Sequence, residues 1–458
     1  MSRVGPLRRL SDFGRALAAS RTGLAQADRL GAAALWHLQE QRLEKLVHHA
    51  LRHSPAYRDL YRGVDLDRLS LGALPPVTKP QLMARFDDWV TDRRLKATDL
   101  ERHLESLSQD ELYLGRYRVM ATSGSTGRRG VFVYDRADWR RNLANFARLN
   151  ERYVGVHPRL RPRLRVAAVG ATSPVHISVR TGLSAAVGIN RVLRLDARRP
   201  VGELAAALQA FQPDFLVGYP SVVALLAHEQ QAGTLRLCPS QIATVAEGRT
   251  PEMTDAIRSA WRVEPFEWYG ITEGGVLAGD CQHHQGLHLF EDLFIVEYVD
   301  GDGRPVPDGE VGHKLLLTNL FNWTQPLIRY ELSDMVALDS RPCACGRTTR
   351  LSQPSKDGAT TSCCSPDRPA PRSRSIPWSC AVRSPPCPWS VSTRSSSRRR
   401  AFACFSSWRT RRPSRKRSER FDPALSPRWP TSGRPRRGFS SKSSTGWSVS
   451  KATAPSSS

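Results

Sequence analysis

The run Ala121-Thr122-Ser123-Gly124-Ser125-Thr126-Gly127-Arg128-Arg129-Gly130 decides how this chain is read. Small hydroxyl residues alternate with glycine, which tolerates positive φ and lets the backbone approach a ligand closely. Successive amides of such a loop can cradle phosphate oxygens, and the hydroxyls add further donors. The Gly-Lys-Ser/Thr ending of a P-loop is absent, so this is a phosphate loop of another kind. A Ser/Gly linker would share the composition. However, Val131-Phe132-Val133-Tyr134 follows at once and reads as a strand, unlike a linker.

The patterns on either side point to a layered α/β chain. Leu43, Leu46, Val47 and Leu51 recur at helical spacing and predict one helix over 34–62. A Pro-marked turn follows, Leu74-Pro75-Pro76-Val77-Thr78-Lys79. From about 165 to 300 strands and helices alternate. Strands are expected at 165–170, 215–218 and 242–246, and helices at 201–211 and 222–228. Another helix starts at Thr250-Pro251, with Thr as N-cap and Pro in the first helical position. Such alternation predicts much parallel sheet. Residues 289–299, the turn Asp300-Gly301-Asp302-Gly303 and residues 313–320 read as a β-hairpin. There is no internal repeat.

Three further segments follow the loop in order: Ala246-Glu247-Gly248 after a strand, Tyr269-Gly270-Ile271-Thr272-Glu273, and the run from Pro326 to Asp334. With the loop, they resemble the motifs of the adenylate-forming superfamily of acyl-CoA synthetases, adenylation domains and luciferases. Gly286-Leu287-His288, Glu291-Asp292, Pro326-Leu327-Ile328-Arg329-Tyr330 and Cys343-Ala344-Cys345-Gly346-Arg347 resemble the phenylacetate-CoA ligase branch, which includes capsule-locus proteins. The likeness covers about residues 35–352.

The resemblance implies an α/β fold of layered sheets and helices, the N-terminal domain of an adenylate-forming enzyme. It places an adenylation domain at 1–351, with its core at about 35–340. It also implies a reaction: a carboxylic acid and ATP give an acyl-adenylate and pyrophosphate, then the thiol of coenzyme A attacks. An aryl or arylacetic acid is the family-level expectation. Such chemistry needs positive charge and fixed dipoles around an in-line phosphoryl centre. By resemblance, Thr122, Ser123, Gly124, Ser125, Thr126, Gly127 and Gly130 form the phosphate cradle. Ala246, Glu247 and Gly248 contact adenine, and Tyr269 and Gly270 pack beside it. Thr272 meets the α-phosphate, Glu273 binds Mg²⁺, and Asp334 accepts from the ribose hydroxyls. Leu332-Ser333 stand where the superfamily has Thr-Gly. Two other readings share these residues: a ligase or adenylyltransferase with an acceptor other than CoA, and an ATP-binding protein without turnover.

Cys281, His288, Cys343 and Cys345 form a second constellation, with two thiols one residue apart and a distant Cys and His. Such a set completes a tetrahedral, closed zinc site, structural rather than catalytic. His283 or His284 are alternative imidazoles, and free thiols are the competing reading. Cys238 stands alone and is expected in the core. His176 follows a strand and reads as an ordinary loop histidine that could face the acid pocket.

The net charge of +25 is concentrated at one end. Residues 353–458 hold 22 Lys and Arg against 4 Asp and Glu; the rest hold 46 against 39. The basic residues are scattered among Ser, Pro, Cys and Trp without a helical face, so a specific nucleic-acid partner is not expected. Cysteine usage is not that of a secreted framework, and no apolar stretch is long enough for a membrane span. A cytoplasmic protein is expected, with ATP, CoA and a small carboxylic acid as partners; a homodimer is compatible with this. Leu, Ile and Val nearly vanish in the segment 352–458, which is expected to be disordered in place of a small C-terminal ligase domain. A frameshift accounts for its odd composition. Lys356 to Pro366 in G/C-rich codons, reread from the third nucleotide, give Gly-Arg-Gly-Asp-Asp-Val-Leu-Leu-Leu-Pro, which resembles the hinge at which this family enters its C-terminal domain.

Overall fold

The computed structural model describes residues 2–354, apart from 67–68, 123–128, 157–162, 308, 311, 333 and 335. The loop residues Ser123, Gly124, Ser125, Thr126 and Gly127 and the basic tail therefore lie outside the described residues.

Two helices open the chain, α1 (Pro6–Ala19) and α2 (Ala32–His53). The helix expected over 34–62 is in fact two. Proline disfavours helical backbone in the residue before it, and Ser54 accordingly leaves the helix at φ −114°, ψ 113°. Its hydroxyl then accepts from the Tyr57 N–H at 3.3 Å, which starts a short helix at Pro55–Leu60.

Strands β1 (Arg118–Ala121) and β2 (Val131–Tyr134) form a fully buried antiparallel pair flanking the phosphate loop. Helix α3 (Arg136–Arg148) follows, its N-terminus capped by the Asp135 carboxylate. The chain then enters the large sheet. Its strands and crossover helices are β3 (Arg165–Gly170), α4 (Ile177–Ala185), β4 (Arg191–Asp196), α5 (Val201–Phe211), β5 (Phe215–Gly218), α6 (Pro220–Gln231), β6 (Gln241–Val245), α7 (Pro251–Trp261) and β7 (Phe266–Ile271). The chain continues as β8 (Gly275–Asp280) and β9 (Leu287–Leu289). A three-stranded antiparallel sheet comes next, of β10 (Phe294–Val299), β11 (Lys314–Asn319) and β12 (Tyr330–Leu332). Finally β13 (Val336–Asp339) and β14 (Leu351–Pro354) return to the large sheet.

The large sheet has the order β13-β14-β9-β8-β7-β6-β5-β3-β4. The five strands from β3 to β7 are parallel, as the alternation predicts, and the other four are antiparallel. Strand order reverses between β3 and β5. In open α/β sheets ligands collect at the carboxyl ends of the strands beside such a reversal. Here those ends are Gly170, Gly218 and Val245. The expected hairpin is real, but it begins at Phe294; Leu289 belongs to β9 in the large sheet. Cys238 is exposed, not part of the core.

The core has two parts. Ala167, Val169, Leu216 and Ile242 on one face of the parallel strands pack against Leu204, Leu208, Val223, Leu226 and Ile257 of α5, α6 and α7. The opposite face joins a larger core that also holds β1, β2 and the β10–β12 sheet. A buried ion pair ties β1 to α4: Asp110 accepts from Arg118 at 2.9 and 3.0 Å and from the Ser184 hydroxyl at 3.0 Å. Among the described residues no helix is long and apolar enough to cross a membrane.

Candidate active site

The site grows from the tight turn joining β7 to β8. Gly275 pairs with Ile271 across it and has φ +76°, a conformation side chains rarely adopt. A Cβ on Gly275 would sit 2.0 Å from Asn142 Oδ1, and one on Gly274 would sit 2.8 Å from the Phe294 ring. The turn is therefore wedged between α3 and β10, and this drives Glu273 inward.

Glu273 is 5% exposed. Its carboxylate accepts from the Tyr330 hydroxyl at 3.2 Å. Its backbone carbonyl accepts from Asn319 Nδ2 at 3.1 Å, and that of Thr272 from the Tyr134 hydroxyl at 3.0 Å. Burial pushes the Glu273 carboxyl above the ordinary range; hydrogen bonding and Lys79 oppose the rise, and Asp334 adds to it. Asp334 is likewise raised by burial and eased by a hydrogen bond from the Tyr269 side chain. Two desolvated carboxylates thus face each other's fields with one nearby lysine, an arrangement that favours a bound cation.

Lys79 reaches this place through backbone pairing. Val77 donates to the Arg329 carbonyl at 3.0 Å, and Glu331 donates to the Val77 carbonyl at 2.8 Å, which fixes this segment beside β12. A capping box of Thr78 and Gln81 then starts the helix Lys79–Ala84. Gly130 lies against it: a Cβ there would meet the Phe132 ring at 2.9 Å, Lys79 Cε at 3.0 Å and Thr122 Oγ1 at 3.2 Å. Thr122 closes the base of the phosphate loop, its N–H donating to the Gly130 carbonyl and its hydroxyl accepting from the Gly130 N–H, both at 2.9 Å. The structure thus brings together Thr122, Gly130, Lys79, Tyr269, Thr272, Glu273 and Asp334.

The second constellation also assembles. The ligand atoms of Cys281, His288, Cys343 and Cys345 all lie within 4.8 Å of one another. Cys281 Sγ is 3.7 Å from Cys343 Sγ, and Cys345 Sγ is 3.3 Å from His288 Nε2. Burial lowers His288 to about 4 and pushes Cys281 up to about 12. Gly346, at φ +78°, turns the loop that carries both thiols. His288 Nδ1 faces Thr349 Oγ1 at 3.2 Å, the kind of outer contact that orients a ligating imidazole. His284 is instead hydrogen-bonded to Asp280 at 2.5 Å.

No protein-family model matches the chain. A phenylacetate-coenzyme A ligase from Thermus thermophilus is 28% identical over 333 residues, which cover 68% of this chain and 67% of the relative. Protein CapK of Staphylococcus aureus is 23% identical over 320 residues, covering 67% and 64%. The chain thus spans about two thirds of the length of these relatives. An open 2-hydroxyisobutyryl-CoA ligase in complex with 2-HIB-AMP and CoA superposes with a TM-score of 0.58 at 22% identity, covering 72% of this chain and 75% of that one. That likeness establishes the adenylate-forming fold.

The chain is similar to the phenylacetate-CoA ligase branch of the adenylate-forming proteins.

In this phenylacetate-CoA ligase-like fold, the segment after β6 makes contacts of its own. Ala246 takes φ +72°, rare for a residue with a side chain. Glu247 turns to the start of α6, accepting from the Ser221 N–H at 3.4 Å and its hydroxyl at 2.6 Å. The Glu247 carboxylate is therefore committed to that helix end. His176 sits at the N-cap of α4, half-buried, with burial and then Arg129 lowering its pKa. Sequence reading missed Lys79, Tyr330 and Asn142 as site residues. Lys79 had a usable signal, the Pro-marked turn just before it. Tyr330 lay in the run from Pro326 to Tyr330 already singled out, whereas Asn142 acts through long-range packing and had no signal.

Gly275→Ala should lower stability by about 2 kcal/mol or more, since it combines a positive φ with a 2.0 Å clash. Urea unfolding checks this; a change under about 0.5 kcal/mol would show that the turn is not wedged.

Proposed function

We propose that residues 1–351 form an adenylation body that activates a carboxylic acid with ATP, giving an acyl-adenylate for transfer to CoA. One observation carries this reading: the buried Glu273 and the half-buried Asp334 and Lys79 converge beside the base of the phosphate loop. Thr122 and Gly130 shape the mouth of the cradle, which Ser123 to Gly127 complete. Lys79 offers a cation to the phosphates. Thr272 stands one residue from the metal-binding carboxylate, suited to the α-phosphate. Asp334, oriented by Tyr269, takes the ribose hydroxyls. Glu273 would hold Mg²⁺, an oxygen-seeking cation that neutralises phosphate charge. The backbone of Ala246 and Gly248, rather than the Glu247 side chain, borders the adenine. The expected acid is aryl or arylacetic, and the protein is expected to work in the cytoplasm.

The Cys/His cluster fits structural zinc in donor type, burial and spacing. Zinc there would pin the β13–β14 turn to β8 and β9, closing the antiparallel end of the large sheet.

ATP–pyrophosphate exchange with a panel of aryl and fatty acids tests the reaction. Exchange should require one class of acid and fall about a hundredfold in Lys79→Met. Exchange independent of any acid would contradict the reading. Glu273 must ionise to bind a cation and its pKa is raised, so Mg·ATP affinity should weaken as pH falls through that raised value. Elemental analysis should find about one zinc per chain; Cys343→Ser combined with Cys345→Ser should remove it and lower Tm by about 5 °C or more. Metal-free wild-type protein of unchanged Tm would contradict a structural zinc.

A further inference from the structure

Helix α1 turns a charged residue inward and its leucines outward. Asp12 is 2% exposed and accepts from Arg136 Nε of α3 at 2.9 Å, and Ala16, one turn on, is buried as well. Just before the helix, the buried Val4 donates its N–H to the Asp110 carbonyl at 3.0 Å. The opposite side of α1 carries Leu7, Leu10, Gly14 and Ala18 at helical spacing, all exposed. Leu7 is 83% exposed and Leu10 51%. Arg8 Nη1 donates to the Gly115 carbonyl at 3.4 Å, which ties α1 to a tight turn. On that turn Leu114, at φ +49°, is 54% exposed. Single exposed leucines are ordinary, but three on two adjoining elements mark a surface that meets something apolar.

The charges on these elements are mostly positive: Arg3, Arg8, Arg9, Arg15 and Arg116. The acids nearby are each engaged. Asp12 meets Arg136, Glu111 meets Arg3 at 3.3 Å, and Asp135 meets Arg116 at 3.3 Å. Among the described residues Arg8, Arg9 and Arg15 form no ion pair with a carboxylate. The surface therefore offers leucines together with unneutralised guanidinium groups.

That pairing selects the occupant. A second copy of the chain, docked about a two-fold axis, would set this patch against itself and bring like charges together. The segment 353–458 of this chain is itself strongly basic and is disfavoured for the same reason. An anionic lipid surface satisfies both parts, since acyl chains take up the leucines and headgroups meet the arginines. We infer that α1 and the Leu114 turn form a docking face for anionic membrane, on which the protein lies without crossing it. Three leucines and a few arginines make such attachment reversible.

Flotation of the full chain with lipid vesicles tests this. Vesicles of phosphatidylcholine alone are compared with vesicles of phosphatidylcholine and phosphatidylglycerol in equal parts. Wild type should bind the anionic vesicles at least tenfold more tightly than the neutral ones, and more weakly as salt rises from about 0.1 M to about 1 M. Leu7→Gln combined with Leu10→Gln removes apolar surface but keeps the net charge and a residue of good helix propensity. This variant should lose at least tenfold in affinity with an unchanged urea midpoint. Leu114→Asn, which suits a positive φ, should weaken binding from the separate turn. Attachment through the basic residues of 353–458 alone would be indifferent to these leucines. Equal affinity of wild type and both variants therefore overturns the inference, as does equal binding to neutral vesicles or no wild-type binding. A wild-type dimer that the double variant dissociates, without vesicle binding, shows that a second copy covers the face and overturns it too.

Discussion

The burial of Glu273 is the constraint on which the rest of the site depends. A carboxylate at 5% exposure is costly unless its charge is met. The fold meets it in part, with the Tyr330 hydroxyl at 3.2 Å and the nearby Lys79. Asp334 then adds a second negative charge to the same region. Stability alone would favour an apolar side chain here. The arrangement makes sense if the protein keeps a charge deficit for a cation and its phosphate ligand. The wedged turn at Gly274 and Gly275, the Val77–Tyr330 pairing that delivers Lys79, and the Gly130 contact with Lys79 all maintain that arrangement.

The large sheet supplies the frame. Its parallel half ends in a strand-order reversal where Gly170, Tyr219 and Ala246 lie side by side, and its antiparallel half carries the turn with Glu273. The Cys/His cluster sits where β8, β9 and the β13–β14 loop meet. A metal there would stiffen the end of the sheet that carries the turn with Glu273, so the proposed metal and nucleotide sites would share β8.

Much of this was legible in the sequence because it is local. Strand–helix alternation foretold the parallel strands, and Thr250-Pro251 marked the start of α7. The Cys and His residues picked out by spacing do come together, with the ligand atoms of Cys281, His288, Cys343 and Cys345 within 4.8 Å of one another. The errors came where a local rule competed with another. Apolar periodicity suggested one helix over 34–62, but Ser54-Pro55 broke it. Cys238 was expected in the core on residue type alone, yet it is exposed. The Glu247 carboxylate accepts from the N–H and hydroxyl of Ser221 at the start of α6, a contact that its motif did not foretell. Asn142 was invisible because its role depends on the distant turn at Gly275.

The most direct test of the account is calorimetric titration of Mg·ATP into the wild-type chain and into Asp334→Ala. The account predicts saturable, Mg²⁺-dependent binding of about one ATP per chain, weakened at least tenfold by the substitution, which removes a charge-assisted contact. Absence of binding, or binding indifferent to both Mg²⁺ and Asp334, would contradict the claim that these buried charges form a nucleotide site.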